Sequence, residues 1–360
     1  MSPHTYDIAA IPGDGIGADV TSAAIEVLRA LEQRHPDIAF AVREYDWGSA
    51  RYQQTGRFMP EDGVAQLKSH DAILFGAVGA PDVPDHLSLW GLRLAICQPM
   101  KQYANIRPIR ILPGIASPLR EATQSNLDWL IVRENSEGEY AGQGGRSHVG
   151  RPEEIATEVA IFTRTGVERI MRYAFAAAAA RPRKQLTVVT KSNAQRSGMV
   201  LWDEVAETVS EEFPEVRWDK MLVDAMTVRM VKDPGSLDTI VATNLHADIL
   251  SDLAAALAGS IGVAPTANLN PEGDFPSMFE PIHGSAFDIT GKGIANPIGM
   301  FWTCALMMRE LGRPDIATHL MTAVEQVTGD RQYHTPDLGG TATTAEVTSA
   351  VIAAVLGRNG

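Results

Sequence analysis

The sequence predicts an α/β protein. Three observations support this: short apolar runs alternate with helix-like stretches, a glycine-rich turn joins the first run to the first such stretch, and 360 residues are enough for one large domain or two ordinary ones. The apolar runs, which predict strands, are Tyr6–Ile11, Ala72–Ala77, Trp129–Arg133, Leu186–Thr190, Met221–Val223 and Thr239–Ala242. The stretches with helical spacing of apolar residues are Asp19–Arg34, Gly166–Ala180, Gly198–Phe213, Ala247–Gly259, Phe301–Leu311 and Ala345–Leu356.

Two segments follow neither pattern. Glu137–Glu154 is rich in glycine and charge, and Thr266–Pro297 is punctuated by glycine and proline. Long irregular segments inside compact domains are usually functional or mobile, although a solvated surface loop is the alternative for each. We therefore expect irregular structure in both.

Composition excludes several classes of function. The net charge is −13 without a basic cluster, which argues against a nucleic-acid partner. Two cysteines, Cys97 and Cys304, cannot form a disulfide framework and suggest a reducing compartment. The N-terminus shows no export signal, and the alanine run Tyr173–Arg183 is too short to cross a bilayer. We expect a cytoplasmic protein without a membrane partner.

The turn Gly13-Asp14-Gly15-Ile16-Gly17-Ala18 fits the G-x-G-x-x-A form of the dinucleotide fingerprint. A Rossmann fold would also need an acidic residue about 20 positions further on, at the end of a second strand. The nearest candidate, Glu44, lies farther along the chain. The turn alone therefore does not establish a pyrophosphate site.

Two carboxylates, Asp248 and Asp252, lie four positions apart on a predicted helix and so project from one face. An oxygen-ligated Mg²⁺ or Mn²⁺ would offset their mutual repulsion. The structural alternatives are a solvent-exposed helix face, or acidic residues at the start of the helix that complement the helix dipole. Asp224, which follows an apolar run, could face the same cation or act as a helix N-cap.

Further candidates are two arginines and two proton carriers. Arg107 and Arg133 suit a planar carboxylate because the guanidinium donors form a fixed fork. Tyr140 and Lys191 could carry protons, and Lys191 ends a predicted strand, where α/β active sites commonly lie. Taken singly, each residue of this kind is more often a structural or surface residue than a catalytic one.

Taken together, the motifs resemble those of the β-decarboxylating hydroxyacid dehydrogenases, the isopropylmalate/isocitrate dehydrogenase family. The matching segments occur in family order through nearly the whole chain: IPGDGIG, YANIRP, IVRENSEGEY, VTKSNA, VDAM, NLHADILSDLAAALAGSIG and FEPIHGSAFDITGKGIANP. The resemblance implies an α/β, two-domain fold with an open mixed sheet, not a Rossmann fold. It implies a large cofactor-binding domain of residues 1–105 plus 258–360, and a small domain of residues 106–257 with a dimer arm at about 137–160.

The resemblance also implies the ligands. The adenosine half of the cofactor would bind a later loop instead of the glycine-rich turn. The implied cofactor-binding residues are Asn193, near the nicotinamide, and Glu280, His283, Gly284, Ser285, Ala286, Asp288 and Asn296. NADP-dependent isocitrate dehydrogenases carry Lys-Tyr where this chain has Asp288-Ile289. An aspartate would accept hydrogen bonds from both ribose hydroxyls and repel a 2′-phosphate, so the implied cofactor is NAD.

By the same resemblance, Asp224, Asp248 and Asp252 bind Mn²⁺ or Mg²⁺, with K⁺ as a further candidate cofactor. Arg107 and Arg133 clamp the substrate carboxylates. Lys191 is the general base and Tyr140 the acid that protonates the product enol. The matching lysine and Asp224 come from the partner subunit, so a homodimer with shared sites is implied.

The activity implied is NAD-dependent oxidation of a small 2-hydroxy diacid with β-decarboxylation: D-malate to pyruvate and CO₂, or a tartrate to oxaloglycolate or glycerate. The alternatives are a 3-isopropylmalate dehydrogenase and a non-catalytic regulatory subunit.

One departure from the family pattern concerns the substrate pocket. Relatives usually carry an arginine at the position of Cys97, whereas here Arg93 lies one helical turn earlier. Together with Trp90, Arg93 argues against an apolar substituent at C3 of the substrate. We expect Arg93 to bind a substrate; the alternative is a solvent-facing Arg93 paired with Asp85.

Overall fold

The computed structural model describes residues 3–358 of the chain. The strands are β1 (His4–Gly13), β2 (Ile38–Glu44), β3 (Ala72–Ala77), β4 (Ala104–Arg110), β5 (Asp128–Glu134), β6 (Gly138–Ser147), β7 (Ile155–Ile161), β8 (Gln185–Thr190), β9 (Arg217–Leu222), β10 (Thr239–Ala242), β11 (Pro265–Leu269) and β12 (Ser277–Pro281).

The α-helices are α1 (Gly17–Arg34), α2 (Ser49–Thr55), α3 (Gly63–Leu67), α4 (Asp85–Ser88), α5 (Leu94–Cys97), α6 (Arg164–Ala179), α7 (Gly198–Ser210), α8 (Val223–Lys232), α9 (Asn244–Ala258), α10 (Ile298–Glu310), α11 (Pro314–Thr328) and α12 (Thr344–Val355). A π-helical turn, Leu89–Arg93, connects α4 to α5. Within residues 3–358, no helix combines the length and apolarity needed to cross a bilayer.

The chain divides into two compact units. The first comprises Met1–Gln102, Arg110–Arg120 and Ala255–Gly360, and the second Tyr103–Ile109 and Glu121–Ala254. Arg110–Arg120, which the domain prediction places in the small domain, packs with the first unit.

In the first unit the strand order is β2-β1-β3-β12-β11. The strands β2, β1, β3 and β12 are parallel, and β11 is antiparallel to β12. All six residues of β3 are buried, as expected for a strand covered on both faces. The mixed sheet and its order, which differs from the Rossmann order 3-2-1-4-5-6, confirm the predicted fold class.

In the second unit the order is β4-β5-β10-β8-β9, with β5, β10, β8 and β9 parallel. The strand β10 is fully buried and leads directly into α9. The strands β6 and β7 form a separate antiparallel ribbon, and every residue of β7 is exposed.

Three sequence predictions of local structure are correct only in part. The strand predicted at Met221–Val223 is the end of β9, and Val223 already begins α8; β9 mixes charged and apolar residues, so only its last residues read as an apolar run. The segment Glu137–Glu154 is not wholly irregular, because β6 is held by pairing with β7. Likewise Thr266–Pro297 contains most of β11 and all of β12, which pair with each other.

Candidate active site

The glycine-rich turn between β1 and α1 is filled by protein atoms. Gly15 has φ +59°, and a Cβ at this position would lie 2.0 Å from the carbonyl oxygen of Ser285. Gly13, with φ +69°, would place a Cβ 1.9 Å from the carbonyl oxygen of Ala77. The backbone N–H of Ile16 donates to the Ser285 carbonyl at 2.8 Å. The glycines thus allow close backbone packing, and the turn supports the loop that carries Ser285.

That loop holds most of the residues expected to bind the cofactor. His283 and Ser285 are buried, and neither His283 Nε2 nor Ser285 Oγ has a hydrogen-bond partner in the described part of the chain. Burial lowers the pKa of His283, so the neutral imidazole is favoured. Gly284 and Asp288 are exposed. Two buried polar atoms without partners, together with an accessible carboxylate, suit a polar ligand such as a nucleotide.

Two other loop residues are constrained by the protein itself. Ala286 has φ +41°, a backbone conformation that L-residues seldom adopt outside functional loops and turns. The side chain of Asn296 donates to Asp337 Oδ2 at 3.0 Å and accepts from the backbone N–H of Ile298 at 3.0 Å. Asn296 therefore anchors the end of the loop to the start of α10.

Arg93 is buried and paired within the first unit. Its Nε donates to Glu280 Oε1 at 2.8 Å, and its Nη2 donates to Asn268 Oδ1 at 3.1 Å. The solvent-facing alternative, in which Arg93 pairs with Asp85, is therefore wrong. Cys97 lies in the apolar cluster that includes Phe75 and Met278, with 1% of its surface exposed. Glu280 therefore supplies a counter-charge to the buried Arg93.

In the second unit, two buried arginines lie beside the acidic face of α9. Arg107 donates to Asn105 Oδ1 at 2.9 Å, to Ser251 Oγ at 2.6 Å and to Asp248 Oδ1 at 3.3 Å. Arg133 donates to Asn244 Oδ1 through Nε at 2.9 Å and through Nη2 at 2.7 Å, and its Nη1 donates to Asp248.

The carboxylates are more exposed than the arginines behind them. The side-chain exposure is 6% for Arg107 and 3% for Arg133, but 39% for Asp248 and 59% for Asp252. Partial burial raises the pKa of Asp252, and the nearby charge of Asp248 raises it further, while the arginines lower it. Cationic donors behind two accessible carboxylates make a centre that can take both an anionic group and a cation.

Tyr140, on β6, lies against this centre, with the Arg133 guanidinium carbon 5.4 Å from the centroid of its ring. The Nζ of Lys191, which follows β8, donates to Asp224 Oδ1 at 2.6 Å. This hydrogen bond lowers the pKa of Asp224. Asn193 follows β8 in an exposed turn.

The three carboxylates predicted to bind a metal do not come together within one chain. Asp224 is paired with Lys191, whereas Asp248 and Asp252 lie beside Arg107. Among the described residues no group of three or more His, Cys, Asp or Glu side chains is arranged to hold a metal ion. One chain thus offers Asp248 and Asp252, hard oxygen donors of the kind that Mg²⁺ and Mn²⁺ prefer, but an incomplete set.

Sequence analysis missed the polar residues that hold the predicted site residues in place. These are Asn105, Asn244, Ser251, Asn268 and Asp337. Three of them had a local signal. Asn105 lies two positions before Arg107 on β4, and Asn244 and Ser251 lie four positions before and three positions after Asp248 on α9, so each shares a face with a predicted site residue.

Comparison with known proteins agrees with the motifs. The sequence model of the family described as isocitrate/isopropylmalate dehydrogenase matches residues 7–353. A probable tartrate dehydrogenase/decarboxylase of Agrobacterium vitis is 68% identical over 354 residues, covering 98% of this chain and 99% of the relative. The D-malate dehydrogenase (decarboxylating) of Escherichia coli K12 is 47% identical over 359 residues, covering 98% and 99%.

Solved structures give the same result. The crystal structure of isocitrate dehydrogenase from Methylococcus capsulatus superposes with a TM-score of 0.88 at 34% sequence identity, covering 98% of this chain and 99% of that one. The match of family, sequence and fold extends over nearly the whole length in each case. This chain is therefore an oxidoreductase that belongs to the isocitrate/isopropylmalate dehydrogenase family.

Proposed function

We propose that this protein catalyses the NAD-dependent oxidation of tartrate or D-malate, followed by metal-assisted decarboxylation where the oxidation product allows it. The observation that carries the proposal is the centre formed by buried Arg107 and Arg133 behind the accessible Asp248 and Asp252. Two fixed guanidinium groups suit a dicarboxylate. The names of the relatives from Agrobacterium vitis and Escherichia coli support this substrate class.

The chain's own residues would act as follows. Arg107 and Arg133 bind the two carboxylates and hold C2 in place. The partner subunit's Lys191 accepts the proton of the 2-hydroxyl group, and Tyr140 donates a proton to C3 after CO₂ has left. Bound NAD would supply the hydride acceptor, and Mn²⁺ or Mg²⁺ held by Asp248, Asp252 and the partner subunit's Asp224 would stabilise negative charge on the substrate oxygens.

The atoms and electrons balance for D-malate. The C2–H bond breaks with its electron pair as hydride, the hydroxyl proton leaves, and the C3–C4 bond then breaks to release CO₂. One proton returns to C3, so that pyruvate, CO₂ and NADH are the products. For tartrate, oxidation alone gives oxaloglycolate, whereas conversion to glycerate and CO₂ involves no net oxidation.

The choice of NAD over NADP rests on Asp288. Asp288 is exposed, and it lies in the same loop as His283 and Ser285, whose buried Nε2 and Oγ have no hydrogen-bond partner among the described residues. A carboxylate accepts hydrogen bonds from ribose hydroxyls, and like charges disfavour a 2′-phosphate. The polar groups of this loop thus support a dinucleotide ligand, in addition to the sequence motif.

A homodimer with shared sites is the assembly we propose. Exposed apolar side chains are frequent in the second unit: Ile155, Val159 and Ile161 on β7, Val228 and Val231 on α8, and Leu245 and Ile249 on α9. An isolated two-stranded ribbon is marginally stable in water, so β6 and β7 favour a partner that covers them. Ile249 lies between the two carboxylates of α9 in sequence, which favours a metal set completed across the interface.

The central test is NADH formation and CO₂ release with D-malate, L-malate, the tartrate stereoisomers, isocitrate and 3-isopropylmalate, each with and without Mn²⁺. We expect turnover with D-malate or a tartrate. Turnover with 3-isopropylmalate alone would identify the alternative dehydrogenase, and no turnover with any hydroxy acid in the presence of metal would favour the regulatory subunit.

The assembly is tested by complementation. Chains with Lys191→Ala and chains with Tyr140→Phe are each expected to be inactive. In a mixed dimer one site regains both groups, so random exchange should restore about a quarter of the wild-type activity. No recovery after subunit exchange has been verified would rule out shared sites.

A further inference from the structure

Arg93, Glu280 and Asn268 form a buried ionic group in the first unit. The side-chain exposure is 10% for Arg93 and 8% for Glu280. Asn268, on β11, donates from Nδ2 to Glu280 Oε1 at 2.7 Å and accepts from Arg93 at 3.1 Å. Each member therefore contacts the other two, and the charges of Arg93 and Glu280 neutralise each other.

The two carboxylate oxygens of Glu280 are in different situations. Oε1 accepts from both Arg93 Nε and Asn268 Nδ2. Oε2 accepts no hydrogen bond from any residue between 3 and 358 that the structure describes. One oxygen is thus fixed by the protein, and the other is left for a ligand.

The place of Glu280 in the chain connects this group to the cofactor loop. Glu280 lies near the end of β12, three positions before His283, whose buried Nε2 has no hydrogen-bond partner within residues 3–358. Arg93 ends the π-helical turn Leu89–Arg93, and such turns occur often at functional sites. The turn thus brings a cation against the strand that leads into the loop.

We propose that Arg93 is a positioning residue for cofactor binding, which acts by orienting Glu280 so that Oε2 faces the bound dinucleotide. This inference rests on the proposed NAD-dependent function. Arg93 and Glu280 together carry no net charge, so the pair adds no net attraction for an anionic substituent of the substrate. Arg93 should therefore affect cofactor affinity, rather than the choice of substituent at C3 that the sequence suggested.

The test is a double-mutant cycle read by NADH binding, which needs no turnover. Wild type, Arg93→Leu, Glu280→Gln and the double variant are titrated with NADH and followed by fluorescence. We expect Arg93→Leu and Glu280→Gln each to weaken NADH binding by about tenfold or more, the effect of losing one charge-assisted hydrogen bond. The double variant should bind within about twofold of Glu280→Gln alone, because Arg93 acts only through Glu280.

Two further variants serve as controls. Arg57→Leu removes an exposed arginine that is paired with Glu61 at 2.5 Å, and it should leave NADH binding unchanged. Arg93→Lys keeps the charge and one donor, and it should recover part of the affinity lost in Arg93→Leu. If Arg93→Leu does not fold, Arg93→Lys alone and combined with Glu280→Gln completes the cycle.

Three results would overturn the inference. If Arg93→Leu weakens NADH binding as much in the Glu280→Gln background as in the wild type, then Arg93 acts independently of Glu280. Unchanged NADH binding with a raised KM for the hydroxy acid would mean that Arg93 contacts the substrate. No NADH binding by the wild type would contradict the proposed function itself, and the role of Arg93 with it.

Discussion

Replacing Gly15 with alanine tests whether the glycine-rich turn supports the cofactor loop or serves as a phosphate site. The added Cβ would lie 2.0 Å from the Ser285 carbonyl oxygen, whereas real Cβ atoms essentially never approach within 3.0 Å. The loop must therefore retreat by about 1 Å, which strains the 2.8 Å hydrogen bond from the Ile16 N–H to Ser285.

The expected loss of stability has two parts. A non-glycine residue at a left-handed backbone angle costs about 1–2 kcal/mol. Loss of the backbone hydrogen bond adds about 0.5–1.5 kcal/mol. Gly15→Ala should thus lower the free energy of unfolding by about 1.5–3.5 kcal/mol, and the displaced loop should also lower kcat/KM by up to about a hundredfold.

Gly56→Ala is the matched control. Gly56 also has a left-handed φ, +75°, but a Cβ there would have no heavy atom within 4 Å. This variant should show only the conformational cost of about 1–2 kcal/mol, with unchanged NADH binding. Urea unfolding gives the stabilities and fluorescence titration gives the NADH affinities. Two outcomes would refute the idea that the turn supports the cofactor loop. One is an equal loss of stability in both variants. The other is a loss of NADH binding by Gly15→Ala without any loss of stability beyond that of Gly56→Ala.

Four further outcomes are expected. NAD should be preferred over NADP, and Asp288→Ser should reduce the preference in kcat/KM by about tenfold or more, since the like charge is removed; comparable use of both cofactors by wild type would contradict this. Chelation should abolish turnover and Mn²⁺ or Mg²⁺ should restore it, so full activity in EDTA would count against a metal. Arg133→Lys should lower kcat/KM for the diacid at least about tenfold, because lysine cannot reproduce the paired donors to Asn244; an unchanged value would remove Arg133 from the site. Since burial lowers the pKa of His283, the neutral ring's contribution to stability is complete above about pH 6.5 and is lost as the pH falls below that value, by at most about 1.4 kcal/mol per pH unit. Urea unfolding of wild type and His283→Asn between pH 7.5 and 5.5 should show the steeper loss in wild type, and parallel curves would exclude this origin.

The sequence by itself determined the family, the α/β class and most of the regular elements. Strands such as β3 and β10 are largely continuous apolar runs. In helices such as α1 and α6, apolar residues recur at helical spacing, and this spacing identifies the buried face. These signals are local, because they depend on residues a few positions apart. The motifs around Arg107, Arg133 and Asp248 are likewise contiguous in the chain.

Only the tertiary structure decided which partners these residues have. Arg93 lies 187 positions from Glu280, and Arg107 lies 144 positions from Ser251. A buried charged residue needs a counter-charge or hydrogen-bond partners, but its neighbours in the sequence do not identify those partners. The glycine-rich turn illustrates the same limit: its residues suggested a phosphate site, and folding fills the space above Gly15 with the backbone of Ser285, 270 positions later. Local pattern thus fixes the elements, whereas packing between distant segments fixes what each functional side chain can do.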